Sequence, residues 1–283
     1  MLDDLIAQLR GADGLERAEA SNRLKELADS QTLARLAEVA RDPEADPLGR
    51  RDAIHLIAGA QEPDAGALLR GLALDARAPS DARCRAIVAL AGREPAALDA
   101  AADALARDRD AAVRATLVTQ AGRLPRERAE AFARGALADE SRDVRSAAGL
   151  PIQQLRLATL VGPLVAAIAK LPLELGAEVN GGNWARAEEE DALLRGLRAV
   201  ASDEPDFRRA VTPILARLVA RAASVWAYDA EQGLLTGRDA AEVLAVTGVE
   251  RGQIAGLEAI LRDPAVEPVI RHAIVEALAR SRQ

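Results

Sequence analysis

The sequence predicts an all-α protein, a right-handed α-solenoid of stacked antiparallel helix pairs. Three observations lead to this fold class: an arginine that recurs at nearly fixed spacing, the small aliphatic residues that follow it, and a 49% hydrophobic composition with only 2% aromatic residues. The arginines are separated by 33, 33, 31 and 31 residues: Arg17, Arg50, Arg83, Arg114 and Arg145. Because a unit of this size cannot bury its apolar face alone, neighbouring units must stack to complete a core.

Small or aliphatic residues stand three, four and seven positions after each of these arginines, and those offsets share one face of a helix. In the third unit they are Ala86, Ile87 and Leu90. Alanine is abundant, and it loses no side-chain entropy in a helix, so the composition favours closely stacked helices over strands. The frame therefore predicts the buried face of one helix in every unit.

Each of the first five units divides into two predicted helices, with proline and aspartate at the boundaries. The first helices are predicted at 2–10, 31–41, 64–74, 96–107 and 126–138, and the second helices at 15–28, 47–60, 80–91, 110–122 and 142–150. Short polar loops follow the first helices of units two to five, beginning at Asp42, Asp75, Asp108 and Asp139.

The regular frame is lost between about residues 171 and 240. The next arginine in frame would fall near position 177, but residues 171–183 offer glycine and asparagine turn chemistry instead. The sequence there predicts a loop, helices near 185–201 and 207–226, a second break from Tyr228 to Gly237 and a short helix near 239–247. We divide the chain into regular repeats over 1–152, atypical helical repeats with loops over 153–248 and a C-terminal capping repeat over 249–283, all within one continuous domain.

Three stretches, 108–118, 139–148 and 263–278, share an Asp–Arg motif followed by aliphatic residues. This motif resembles that of the HEAT-like helical repeat family, especially its short phycobilisome-lyase-like members. The resemblance implies that the motif's aspartate and arginine brace adjacent repeats, which would make six arginines a structural framework: Arg17, Arg50, Arg83, Arg114, Arg145 and Arg271. The ankyrin and tetratricopeptide repeats have a similar period, but the sequence carries neither signature.

The net charge argues against a nucleic-acid partner, and the cysteine content argues against a disulfide or a cysteine-rich zinc site. The net charge is −7 and the pI is near 5.2, whereas a nucleic-acid binder usually carries a basic surface. A stripe of Arg83, Arg85, Arg114 and Arg145 is the feature that would serve nucleic-acid binding. Cys84 is the only cysteine, which excludes an internal disulfide and a cysteine-rich zinc site.

Two features of the chain bear on localisation. Asp3 and Asp4 stand where a secretory signal would be basic. The longest apolar run, 155–173, contains charged residues and prolines and is predicted to be a buried helix. We therefore expect a cytoplasmic protein without a membrane-spanning segment.

No motif in the sequence predicts catalysis, a cofactor or a metal. His55 and His272 have no second ligand at metal-binding spacing. The acidic run 188–191 is expected to be a solvated helix start, because consecutive carboxylates point around a helix and complement its dipole. The turn at 180–183 lacks the lysine and hydroxyl residue that complete a P-loop. We expect a protein that is not an enzyme.

Three of the five aromatic residues, Trp184, Trp226 and Tyr228, lie beside the predicted loops of the segment where the repeat frame is lost. This segment is the predicted contact region for a partner. Aromatic and arginine side chains are enriched at binding hot spots, and the candidates are Trp184, Arg186, Trp226, Tyr228 and Arg238. Packing of both tryptophans in the core is the alternative. The preferred function is a noncatalytic scaffold that binds a protein partner through these loops and its concave second helices. A nucleic-acid-binding role and a chromophore-lyase-like enzyme, the latter implied by the resemblance alone, are the alternatives.

Overall fold

A computed structural model gives the fold of the protein and describes residues 1–171, 182–224, 230–264, 266 and 268–281. The side chains of 182–188, 220–224 and 230–238 lie outside the described part. All the regular secondary structure within the described residues is helical, which confirms the predicted class. The chain forms two compact units, Met1–Pro125 (unit 1) and Arg126–Gln283 (unit 2).

Unit 1 consists of four helix pairs at the positions that the repeat frame predicts. The helices are α1 Leu2–Arg10, α2 Gly14–Glu26, α3 Ser30–Arg41, α4 Pro47–Gly59, α5 Ala65–Leu74, α6 Ser80–Arg93, α7 Pro95–Leu105 and α8 Ala111–Gln120, followed by the 3-10 turn Ala121–Arg123. The first helices pack in one row, from α1 through α3 and α5 to α7, and the second helices pack in another, from α2 through α4 and α6 to α8.

Aspartates begin several of these helices because a carboxylate can accept the backbone N–H groups that have no partner in a first turn. Asp13 accepts from Leu15 and Glu16 at the start of α2. Asp29, Asp46 and Asp110 cap α3, α4 and α8 in the same way.

The core of unit 1 is the face that the repeat frame predicts. Ala86, Ile87 and Leu90 of α6 are all fully buried, and the equivalent aliphatic residues of α4 and α8 are buried as well. At Gly49 the second helix α4 approaches α1 so closely that an added Cβ would overlap the Leu9 carbonyl oxygen. The small residues of the repeat therefore let helices stack at short range.

Unit 2 begins as another helix pair and continues with longer helices. Its elements are α9 Arg126–Ala136, α10 Arg142–Ala147, α11 Gly149–Leu155, the 3-10 turn Ala158–Leu160, α12 Val161–Ala169, α13 Gly182–Ala199, α14 Pro205–Ser224, α15 Ala230–Thr247, α16 Arg251–Leu261 and α17 Pro268–Arg280. One row of contacts runs from α11 through α13 and α15 to α17, and another runs from α12 through α14 to α16.

Two boundaries in unit 2 differ from those predicted. The helix predicted at 142–150 is interrupted at Ala148 and extends to Leu155, where Arg156 ends it in the left-handed region with φ of 48°. The predicted break over residues 228–237 is wrong for 230–237, which belong to α15. Single glycines among helix-forming residues cost a helix only about 1 kcal/mol each, so Gly233 and Gly237 do not end it. The loop predicted at 171–183 lies largely outside the described residues.

Helices α11 and α13 cross at small residues. A Cβ at Gly149 would overlap the carbonyl of Ala192, and one at Gly196 would touch the Gly149 backbone and Ile152. Among the residues that the structure describes, no helix is both long enough and apolar enough to cross a membrane.

Candidate partner-binding face

The arginines of the repeat motif occupy one structural position, the fourth residue of a helix, beginning with α2, α4 and α6. Arg50 shows how this position is used. Its Nη1 donates to the Ala45 carbonyl at 2.6 Å, in the loop of its own unit, while Nε and Nη2 donate to Asp81 of the next unit at 3.1–3.2 Å. One side chain thus binds the loop that precedes its helix and the start of the neighbouring helix.

Arg83 repeats this arrangement and is the most deeply buried of the set, with 3% of its surface exposed. Its Nε donates to the Ala73 carbonyl at 3.2 Å, and its two terminal nitrogens bind the two carboxylate oxygens of Asp108. Burial tends to raise the pKa of Asp108, but the hydrogen bond and charge of Arg83, with the N–H of Asp110, hold it below its ordinary value. The pair is a bidentate, charge-assisted contact between successive repeats.

The other framework arginines also donate to a backbone carbonyl that precedes their own helix, but their contacts with the next repeat differ. Arg17 donates to the Gly11 carbonyl at 3.1 Å, and Arg114 donates to the Asp108 carbonyl at 2.8 Å. In unit 2, Arg145 donates to the Asp139 carbonyl at 3.0 Å and binds Glu189 at 2.6 Å, and Arg271 donates to the Leu261 carbonyl at 3.0 Å. Each guanidinium therefore satisfies carbonyls at or just beyond the end of a first helix, where the helix dipole favours a cation.

Sequence reasoning missed Arg208, which is also the fourth residue of its helix, α14. Its Nε donates to the Thr247 carbonyl at 2.6 Å and its Nη2 donates to the Asp203 carbonyl at 3.2 Å. The signal was present in the stretch from Asp203 through Pro205 to Arg208, which is similar to the Asp263–Pro264 start of the last motif. The sequence prediction started this helix at 207, which puts Arg208 at the second helical position, and Arg208 was therefore not recognised as a framework arginine.

The acidic run 188–191 lies in the middle of α13 and not at the predicted helix start, and two of its carboxylates are buried instead of solvated. Glu189 and Glu190 are 3% and 2% exposed, and Glu189 binds the guanidinium of Arg145. A carboxylate can be buried when a cation and hydrogen bonds compensate for its lost hydration. Here the compensating cation comes from a helix 44 residues earlier in the chain, so the local sequence could not reveal it.

The structure does not describe the side chains of the five residues predicted to contact a partner. Trp226 and Tyr228 lie outside the described residues. Trp184 and Arg186 belong to α13, and Arg238 belongs to α15, but their side chains lie outside the described part. Their role stays a prediction.

The second helices of unit 1 present an open face, which we call the second-helix face. It is marked by the residues five positions after each framework arginine, Asn22, His55, Val88 and Thr119. The first three are exposed, and Val88 retains 49% of its surface although it is apolar. These positions are polar in three of the four repeats and apolar in the third.

A groove of about 530 Å³ lies on this face between the C-terminal halves of α2 and α4. Its lining is Ser21, Asn22, Lys25, Glu26, Ala28, His55, Leu56, Gly59, Ala60, Gln61 and Glu62. At Gly59 an added Cβ would meet no atom within 4 Å. The groove is therefore open at Gly59 and carries donors, acceptors and both signs of charge around it.

The two histidines are not brought together with other ligands in the described part of the molecule. His55 is exposed in the groove, and the His272 side chain is 77% exposed with its Nε2 3.4 Å from Glu276. Among the described residues, no three histidine, cysteine or acidic side chains are arranged to hold a metal ion.

Comparison with known proteins agrees with the architecture. No protein-family model matches the sequence, and no curated protein sequence matches it. YibA of Escherichia coli superposes with a TM-score of 0.60 at 15% identity, over 97% of this chain and 91% of YibA. The karyopherin Kap121p superposes with a TM-score of 0.59 at 14% identity, over 99% of this chain. The chain spans only 32% of Kap121p.

At this level of identity, the two similarities establish the fold alone. YibA and Kap121p are helical repeat proteins of the HEAT and armadillo type. This fold agrees with the paired rows of helices described above. The protein therefore has an α-solenoid fold similar to that of HEAT-type and armadillo-type helical repeat proteins.

Proposed function

We propose that the protein is a noncatalytic scaffold that binds a protein partner through the second-helix face of unit 1. The observation that carries the proposal is the open groove between α2 and α4. Repeat arrays use surfaces of this kind because stacking leaves one row of helices exposed along its length. We place the protein in the cytoplasm as part of the same proposal.

The chemistry of the groove suits a polypeptide segment. Lys25 and Glu26 bring opposite charges to one wall, and Asn22 and Gln61 carry amides that can both donate and accept hydrogen bonds. A peptide backbone presents the same mixture of donors and acceptors, and protein interfaces combine such polar groups with apolar contacts. Val88, exposed on the neighbouring second helix, supplies an apolar contact on the same face.

The fold comparison supports the same kind of function. Kap121p has been crystallised bound to Ste12p, with a TM-score of 0.53 to this chain, and bound to Nup53p, also with 0.53. Kap121p is thus a helical repeat protein that binds other proteins. We propose a similar use of the array here, with a partner that these similarities do not name.

Nucleic-acid binding is less well supported than protein binding. Two arginines of the predicted stripe, Arg83 and Arg114, donate to framework groups, and Arg83 is 3% exposed. A buried guanidinium cannot neutralise a phosphate, and phosphate contacts supply most of the energy of nonspecific binding. We therefore expect no salt-dependent shift of duplex DNA or RNA by the purified protein.

Gly59 offers a direct test of the groove. Affinity capture followed by mass spectrometry would identify a partner, and titration calorimetry would then compare the wild type with Gly59→Arg and Gly59→Ala. The open space at Gly59 lets both variants fold, but only arginine fills the groove. We expect Gly59→Arg to weaken binding at least tenfold, about 1.4 kcal/mol, while Gly59→Ala binds as the wild type does. Wild-type affinity in both variants would remove the groove from the proposal.

The atypical segment remains a second proposed contact region, with Trp184, Arg186, Trp226, Tyr228 and Arg238 as its candidates. If they are hot spots, Trp184→Ala and Arg186→Ala should each weaken binding of the identified partner by more than about 1 kcal/mol while the variants stay folded. Wild-type affinity in both, together with lower thermal stability of the tryptophan variant, would assign the segment to packing.

A further inference from the structure

Positive charge in unit 1 is concentrated on three of its second helices. Helices α4, α6 and α8, together with the turn Ala121–Arg123, contain seven arginines and two aspartates. The first helices α1, α3, α5 and α7 contain four arginines and five acidic residues. Unit 1 as a whole has 17 basic and 21 acidic side chains, so these second helices are basic within an acidic unit.

Both aspartates of these three helices are bound by arginines. Asp81 accepts hydrogen bonds from Arg50 at 3.1–3.2 Å. Asp52 lies between two guanidinium groups, 2.8 Å from Arg51 and 3.6 Å from Arg17. Because cations already compensate both carboxylates, neither one offsets the charge of the remaining arginines.

Two of the remaining arginines, Arg85 and Arg123, carry uncompensated charge. Both residues are exposed, and among the residues that the structure describes neither makes a hydrogen bond or an ion pair. Arg85 stands three positions before Val88 on α6, and residues with this spacing share one face of a helix. Val88 is 49% exposed, so the outer side of α6 presents a cation beside an apolar side chain.

The uncompensated arginines lie on neighbouring elements of the second-helix face. Arg123 follows α8, which packs against α6, and α6 packs in turn against α4 with its exposed Arg51. We call Arg51, Arg85, Val88 and Arg123 the basic patch. Helix α2 carries three basic and three acidic side chains, so the basic patch begins at α4, next to the groove, and continues away from α2.

We propose that the basic patch binds an acidic segment of the partner, a choice of partner chemistry that rests on the scaffold function proposed above. A guanidinium group can bind a carboxylate through two parallel charge-assisted hydrogen bonds. Val88 adds a contact for an apolar side chain of the same segment, as the apolar contacts of protein interfaces do. Opposite charge also steers the segment towards the patch and speeds association.

A nucleic acid fits the basic patch less well than an acidic peptide. A duplex draws its binding energy from many neutralised phosphates and needs a broad basic surface. The patch offers few arginines, and the acidic side chains of unit 1 outnumber the basic ones. A short segment with a few carboxylates matches the patch without meeting the acidic remainder of the unit.

Fluorescence anisotropy with labelled peptides tests the charge preference. The probes are a fluorescein-labelled peptide of repeated Glu-Glu-Leu units and its Gln-Gln-Leu counterpart, each titrated with the full chain at low and at high salt. We expect the acidic peptide to bind and to lose affinity as salt screens the charges, and the neutral peptide not to bind. Equal affinity for both peptides, or no binding of the acidic one, would overturn the proposal.

Charge reversal tests whether the acidic peptide binds at the basic patch. Arg85→Glu is compared with Arg70→Glu, which makes the same change at an exposed arginine of the first helix α5. Substitutions at such exposed positions leave the fold intact. We expect Arg85→Glu to weaken binding of the acidic peptide about fivefold or more, and Arg70→Glu to change it by less than about twofold because its charge is distant and screened. Equal losses in both variants would reduce the effect to net charge and contradict the proposal.

Two further measurements separate the alternatives. Labelled duplex DNA that binds more tightly than the acidic peptide, and less tightly to Arg85→Glu than to the wild type, would assign the patch to nucleic acid. With the partner identified by affinity capture, loss of binding in Gly59→Arg but wild-type affinity in Arg85→Glu would remove the acidic segment and keep the scaffold function. Wild-type affinity in both variants would remove both.

Discussion

Replacing Arg83 by alanine should strongly destabilise unit 1. The substitution removes three bonds, one to the Ala73 carbonyl and two to Asp108. The Asp108 side chain is 13% exposed, so water can only partly replace the guanidinium. Breaking a buried ion pair by removing one partner costs about 3–5 kcal/mol, mostly because the other charge stays buried and uncompensated.

Thermal and urea unfolding would measure this loss. For a unit of this size, each kcal/mol shifts the melting temperature by about 3 °C, so we expect a decrease of about 10 °C. Arg83→Met keeps the apolar part of the side chain and separates the lost charge from the lost packing. Arg85→Ala is the matched control, because Arg85 lies on the same helix with an exposed side chain and should change stability by less than about 0.5 kcal/mol.

A double-mutant cycle with Asp108→Asn isolates the pair. We expect a coupling energy of at least about 1.5 kcal/mol between Arg83 and Asp108. Because the pKa of Asp108 is held low in the folded state, the stability it contributes is present at neutral pH and is lost as the pH falls below about 4. Coupling below 0.5 kcal/mol, or wild-type stability of Arg83→Ala, would refute the framework role.

Four further substitutions test packing and the framework. Ile87→Asp should cost several kcal/mol in urea denaturation, because an unpaired charge replaces a fully buried side chain; unchanged unfolding would contradict the repeat frame. Gly149→Ala should cost about 1–3 kcal/mol, since its Cβ would overlap the Ala192 carbonyl, whereas Gly256→Ala, with no atom within 4 Å, should stabilise by about 0.5–1 kcal/mol. Arg208→Ala should lower the melting temperature by removing two carbonyl bonds, and a melting temperature equal to that of the wild type would show that those bonds contribute nothing.

The framework arginines show which structural positions a fixed repeat period can identify and which it misses. Counting by about 32 residues finds Arg17 through Arg145, but the constant in the structure is the fourth position of a helix. That position places a guanidinium over the loop that precedes its own helix, whatever the length of the unit. Arg208 satisfies the same geometry within a longer unit, and for this reason a count along the chain passed over it.

The candidate site was predicted less completely than the fold. The repeat pattern predicts the second helices as a binding surface, but the groove between α2 and α4 depends on how two repeats pack. Gly59 gives no sign in the sequence that it opens that groove, because glycine is also common near helix ends. Pocket shape is a property of neighbouring elements and cannot be read from either one alone.

The sequence by itself determined the helical class, the stacking of pairs and the buried face of unit 1, because these follow from short-range periodicity and from the need of each unit to cover an apolar stripe. Only the tertiary structure decided which charged side chains are buried and which partners they bind. Glu189 lies in an acidic run that the sequence predicts to be solvated, yet it is buried because Arg145 binds it from another helix. A charge responds to its neighbours in space, and those are set by long-range packing that no local pattern encodes.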